Sequence, residues 1–212
     1  MSGTGRAQRT RLEHRLTTAR HGAKLLDRKQ HIVAEELERL QLRAGLVRTQ
    51  WEDLAAEAVR WLGRAAALDG LARITSAAPQ GRAEVLVHRE TAMGVDYPAD
   101  AHCRCQLTLQ DTGSSALIRA AAAHRAALEA AVRYAAAQRA VRLLTAELTA
   151  TRSRRRAVEN RWIPQLEQQL LEVARQIEAQ ELEETLRLRW AADRRPRNRG
   201  PTAPTPERTE TA

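Results

Sequence analysis

Phenylalanine is absent from this 212-residue chain, and its aromatics are four Trp and two Tyr, 3% of the residues. A core of packed rings is therefore excluded. Lysine is confined to Lys24 and Lys29, so the formal net charge of +9 is carried almost wholly by arginine. Cysteine occurs twice, as Cys103 and Cys105. That spacing gives no metal framework, which needs more ligands at other intervals, and reads as reduced thiols on one face of a strand. No stretch near the start has the apolar middle of a signal peptide, and no run approaches the roughly 18 apolar residues of a membrane span. A soluble, cytoplasmic protein without direct membrane insertion is expected. The phosphate-loop pattern G-x-x-x-x-G-K-[ST] has no match. His14, His21, His31, His88, His102 and His124 are scattered, with no acid at a convincing ligand spacing, and read as surface side chains. No catalytic residue, cofactor site or metal site is expected.

What is present is alanine, leucine, valine, glutamate and arginine, a mixture suited to long helices. Steps of four and three from Leu12 visit Leu16, Ala19, Ala23, Leu26, Gln30, Val33, Leu37, Leu40, Ala44, Val47, Trp51, Leu54, Ala58, Trp61, Ala65 and Leu68. Gln30 is the only polar residue among them, and no proline interrupts them. A heptad seam of this kind specifies a left-handed coiled coil. At 1.5 Å per residue it predicts a helix about 85–90 Å long. Asp69-Gly70 is a suitable helix stop.

The period then changes. Residues 83–89 and 102–109 read as two short strands, joined by a loop containing Met93-Gly94-Val95 and Pro98 and longer than usual for a hairpin. Ser114 or Ser115 is a candidate N-cap for a second helix. Its first part is alanine-rich, and its later part carries Leu144, Leu148, Val158, Trp162, Leu166, Leu170, Val173 and Ile177 at helical spacing. Pro164 removes a hydrogen bond to the Asn160 carbonyl and predicts a kink.

The expected fold is all-α, a long antiparallel intramolecular coiled coil with a small mid-chain β-hairpin at the end away from the termini. The expected segments are a frayed stretch 1–10, helix 11–70, connector and hairpin 71–114, helix 115–191 and a disordered tail 192–212. Cysteines introduced near Leu16 and Leu186 are expected to cross-link within one chain.

Arg152, Arg154, Arg155 and Arg156 form the densest local charge. Such a cluster can grip phosphates, but no stacking aromatic is interleaved with it. A solvated helix face or an acidic protein partner accounts for it better, and acidic residues alternate with basic ones along both helices.

The segment Gly22-Ala23-Lys24-Leu25-Leu26-Asp27-Arg28-Lys29 resembles the "G-x-K-L-L-x-x-K-R" run of the V/A-type ATPase D-subunit family, with its basic pair transposed and shifted. Met93-Gly94-Val95 followed by Pro98 is similar to that family's "N-x-M-G-V-x-x-P", with Thr91 in place of Asn. Residues 151–167, ending in Trp162-Ile163-Pro164-Gln165-Leu166-Glu167, resemble "T-x-R-R-V-N-A-L-E-x-x-x-I-P-x-L-E", and 182–188 resemble "R-E-E-x-F-R-L-K" with Leu186 for the aromatic. The pieces occur in family order. The gamma chain of F-type synthases has a comparable shaft but encloses a larger α/β domain.

The resemblance implies a non-catalytic protein of the central stalk, a rotor that couples ATP turnover to ion transport. Its implied partners are the catalytic and non-catalytic proteins of the head, the small stalk protein named F and the socket protein named C or d. No nucleic acid is among them, and the chain would be peripheral on a membrane complex. Partner contacts are expected from Lys24, Leu25, Met93, Gly94, Val95, Arg152, Arg155, Arg156, Trp162, Ile163 and Pro164. The alternative reading is a basic helical hairpin that binds RNA or a ribosomal surface; a scaffold coiled coil is a third.

Overall fold

A computed structural model describes residues 3–77, 82–104 and 114–194. Helix α1 (Gly3–Ser76) precedes strands β1 (Glu84–Ala92) and β2 (Val95–Arg104). Helix α2 (Ser115–Ala157), a π-helical turn (Val158–Trp162) and helix α3 (Ile163–Arg194) follow. The chain divides into two compact units, one of Met1–His21 with Val158–Ala212 and one of Gly22–Ala157. In each unit α1 packs antiparallel on a returning helix. The fold is all-α apart from the hairpin.

The heptad seam is what α1 buries. Every buried residue of α1 lies on it: Leu12, Leu16, Ala19, Ala23, Val33, Leu37, Leu40, Ala58 and Ala65. Leu68 alone of the seam is exposed, at 72%. It stands next to Gly70, whose φ of 77° and ψ of 160° break the helix. Glycine alone enters that region without a steric penalty. The expected stop is therefore a break, and the helix resumes over residues 71–76 in the stretch assigned to the connector.

In the first unit Leu12, Leu16, Ala19, Leu166 and Val173 form one apolar cluster. Arg6 pairs with Glu181 at 2.9 Å and Arg20 with Glu167 at 2.8 Å, so partners on α3 recede as α1 advances. This register corrects two expectations. Within the stretch 1–10 expected to fray, the described residues 3–10 are helical, because Arg6 finds a partner on α3 and Gly5 lies close beside Ile177. Leu16 shares its cluster with Leu166, while Leu186 is 55% exposed and belongs to no buried cluster.

The second unit has two cores. At its closed end Ala65, Ala116, Leu117 and Ala120 are buried, with Trp61, Ile74 and Ala77 packed on them. Ser114 caps α2, its hydroxyl oxygen accepting from the Leu117 N–H at 3.2 Å, and the same hydroxyl donates to Asp69 beside the Gly70 break. Between the two ends Trp51 on α1 stacks on Tyr134 of α2, with centroids 5.4 Å apart. Seven of the eleven buried α2 residues are alanines, and these small side chains leave room for such rings.

The larger core combines Val33, Leu37 and Leu40 of α1 with Ala140, Leu144 and Leu148 of α2 and with Tyr97 and Ala99 of β2. The hairpin is thus folded against the flank of the helix pair rather than placed at its closed end. Its strands also differ from expectation. They are Glu84–Ala92 and Val95–Arg104, joined by the two-residue turn Met93-Gly94. Both turn residues have positive φ, 49° and 81°, as a type I′ hairpin turn requires. Pro98 lies within β2 opposite Arg89, and the register shifts at His88/Arg89. A proline is tolerated there because, among the described residues, neither strand has a further neighbour in the two-stranded sheet. The expected second strand ran on to residue 109; residues 105–113, with Cys105, lie outside the described residues, as does the tail beyond residue 194. Half-buried Cys103 is on β2.

Candidate partner-contact surface

The hairpin is held by one aromatic. The Tyr97 hydroxyl donates to Glu36 of α1 at 2.7 Å and lies 3.3 Å from Glu90 of β1. Glu36 also receives the Arg39 guanidinium, which first of all holds its carboxyl below the ordinary range, against the opposing effect of burial. Burial, then the bond to Glu36, pushes the Tyr97 phenol up to about 12. A raised phenol pKa stabilises the folded state below the unfolded value of about 10, and that contribution is lost as pH rises from about 10 to about 12. Tyr97→Phe should lower stability near neutrality by about 0.5–1.5 kcal/mol and flatten this alkaline limb. Denaturant melts at a series of pH values measure both; an unchanged alkaline limb would remove Tyr97 as its source.

The motif at residues 22–29 faces two ways. Lys24 and Leu25 are exposed, Leu25 at 51%. Asp27 and Lys29 instead bind α2: Asp27 pairs with Arg155, and the Lys29 ammonium lies 2.7 Å from Glu147. The hydroxyl of Thr151, fully buried, donates to the same Glu147 oxygen at 3.3 Å. This polar layer within an apolar seam fixes register, because a slipped pairing leaves the charges unmatched. The Lys29 hydrogen bond is the main cause holding the Glu147 carboxyl below the ordinary range. A depressed carboxyl stabilises above its unfolded pKa, so this contribution disappears as pH falls below about 4. Glu147→Ala strands Lys29 and Thr151 and should cost about 1–3 kcal/mol at neutral pH, with the deficit shrinking in acid. Urea midpoints at pH 7 and pH 3 test it; equal deficits at both would contradict the assignment.

Of the remaining expected contact residues, Met93 is 41% exposed at the hairpin tip beside Gly94, and Val95 is half-buried. Arg152 and Arg156 are exposed on the last turns of α2. Arg155 is turned inward to Asp27 of α1, and Arg154 lies 3.9 Å from Glu147 of its own helix, so half of the arginine run has an acidic neighbour within the chain. In the other unit Trp162 is 46% exposed, whereas Ile163 packs on the Leu12–Leu16 cluster and Pro164 is half-buried. Glu147, Thr151, Glu36 and Tyr97 did not stand out in the sequence. A charged residue at the edge of a seam carries no sign of the partner awaiting it, although Tyr97, the sole tyrosine of the hairpin, was a usable signal.

Among the described residues no cluster of three His, Cys, Asp or Glu could hold a metal ion, and no helix is long and apolar enough to cross a membrane. Each unit thus offers exposed apolar and arginine side chains on its helices, suited to contact with other proteins.

The family model for the D subunit of ATP synthase matches residues 8–193, and the chain belongs to that family. It is 30% identical over 191 residues to the V-type ATP synthase D subunit of Anaeromyxobacter sp. (strain Fw109-5), an alignment covering 86% of this chain and 89% of that protein.

Proposed function

We propose that this chain is the central rotor of a V/A-type ATPase and couples ATP turnover in the head to rotation and ion transport across a membrane. The observation that carries the reading is the D-subunit family match across nearly the whole chain. The chain has no chemistry of its own in this role. An asymmetric shaft contacts three equivalent catalytic interfaces differently and so biases each toward a different conformation. The proposed partners are the catalytic and non-catalytic proteins of the head, the small stalk protein named F and the socket protein named C or d, with the chain on the cytoplasmic side, peripheral on a membrane-bound complex. The contact residues proposed are the exposed ones, Lys24, Leu25, Met93, Arg152, Arg156 and Trp162, with Gly94 and Val95 shaping the hairpin tip.

Reconstitution tests the reading. The purified chain should hydrolyse no ATP, and adding it with its stalk partner to a head assembled from the same source should change the turnover of that head. Replacing residues 84–104 by a short Gly-Ser linker should alter the change. The competing nucleic-acid reading requires steeply salt-dependent RNA or DNA binding through Arg152, Arg154, Arg155 and Arg156. Two of those four are engaged with Asp27 and Glu147, which weakens it. Tight nucleic-acid binding with no association to a head would reverse the order.

A further inference from the structure

We infer that the π turn over Val158–Trp162 is a one-residue register correction demanded by the side chains that follow it, and that Pro164 locks it in place. All the residues concerned lie in the first unit. Val158, Ile163, Leu166, Leu170, Val173 and Ile177 all belong to, or pack on, the apolar cluster that contains Leu12 and Leu16. From Ile163 onward these residues are three or four apart, the ordinary α-helical seam. Val158 and Ile163 are five apart. That step overshoots a turn of about 3.6 residues and suits a π turn, whose hydrogen bonds run from i to i+5.

An unbroken α-helix continuing from Val158 with the same alternation would present Trp162, Gln165, Gln169, Glu172 and Gln176 to α1. Four of these five are polar, and burying them without partners is unfavourable. In the structure Gln165, Gln169, Glu172 and Gln176 are exposed and Trp162 is 46% exposed, while Leu166 is 1% and Val173 5% exposed. A slip of one residue in the other direction would bring in Pro164, Glu167 and Glu178. Both neighbouring registers bury polar groups, so the seam selects a single one.

Pro164 acts separately. It has no N–H for the Asn160 carbonyl, and its ring would crowd that carbonyl in a regular α-helix. The π turn ends just before Pro164, so the helix is already widened where the ring would crowd it. The two constraints agree, so the turn is a fixed insertion rather than a mobile defect. They also give physical meaning to the Ile-Pro-x-Leu-Glu motif: Ile163 restarts the core, Pro164 locks the turn, Leu166 is buried and Glu167 pairs with Arg20. The same insertion turns Trp162 outward.

Thiol labelling and thermal melts separate the causes. In the full chain with Cys103→Ser and Cys105→Ser, Pro164→Ala should leave the turn in place, because the seam still requires it. In that background the thiol of Ile163→Cys should react at least about tenfold more slowly than the thiol of Trp162→Cys. Equal or reversed rates would overturn the inference. Deleting Arg161 while keeping Pro164 forces proline into a continuous α-helix and should lower the Tm by about 5–10 °C. Deleting Arg161 together with Pro164→Ala should bring the Tm back to within a few degrees of the parent. A double variant as unstable as the single deletion would equally overturn it.

Discussion

Leu144→Ala lowers the thermal midpoint of the protein by about 5–15 °C. Leu144 is fully buried at the centre of the larger core, between α1, α2 and the hairpin. Truncating a buried leucine to alanine removes its transfer free energy and leaves a cavity, together worth about 2–5 kcal/mol. A chain of this size loses about 2–4 °C per kcal/mol. Leu166→Ala, at 1% exposure in the other unit, should behave similarly, unless rearrangement of its neighbours closes the cavity. Leu188, 72% exposed, is the control, and its alanine variant should stay within about 0.5 kcal/mol of the parent. Calorimetry or circular dichroism melts decide the matter; a Leu144 variant melting with the Leu188 control would show that this core does not support the fold.

The second large effect is covalent. Cysteines at Arg20 and Glu167, in a background with Cys103→Ser and Cys105→Ser, should be joined within one chain by a short bis-maleimide, because the native side chains meet at 2.8 Å. The two positions are 147 residues apart, so the link closes a long loop in the unfolded chain and should raise stability by about 2–5 kcal/mol. A pair at Leu16 and Leu186, positions that share no cluster, should give little intramolecular product. Gel mobility distinguishes the species. Dimers from the Arg20–Glu167 pair, with no fast-migrating monomer, would sink the intramolecular helix pair.

The antiparallel pair and its inward face were legible because a helical seam is a one-dimensional pattern. Residues seven apart face the same way whatever the partner, so Leu12, Ala19, Val33 and Leu40 declared themselves core without reference to α2 or α3. The Ser114 cap was likewise local, since it depends on a hydroxyl three residues from an amide; Gly70 was legible only as a stop, and the structure makes it a break after which the helix resumes. The hairpin was legible only as two strands. Its turn at Met93-Gly94 lacks the Asn-Gly or Asp-Gly signature that advertises such turns, and Pro98 argued against a strand that a bulge accommodates.

Of the expected contact residues, Arg155, Ile163 and Pro164 are at least partly engaged within the chain, while Lys24, Leu25, Arg152, Arg156 and Trp162 point outward. Sequence could not divide them, since a motif records that residues occur together and not which neighbour each one meets. The amino-acid sequence by itself determined the helices, their buried stripe and the family, all of which follow from spacing along a single axis. The tertiary structure alone decided the register of Arg6 with Glu181 and Lys29 with Glu147, the docking of Tyr97 on Glu36 and the outward turn of Trp162. Each of these depends on a side chain brought close from far along the chain, and pairing of that kind leaves no periodic trace in either partner.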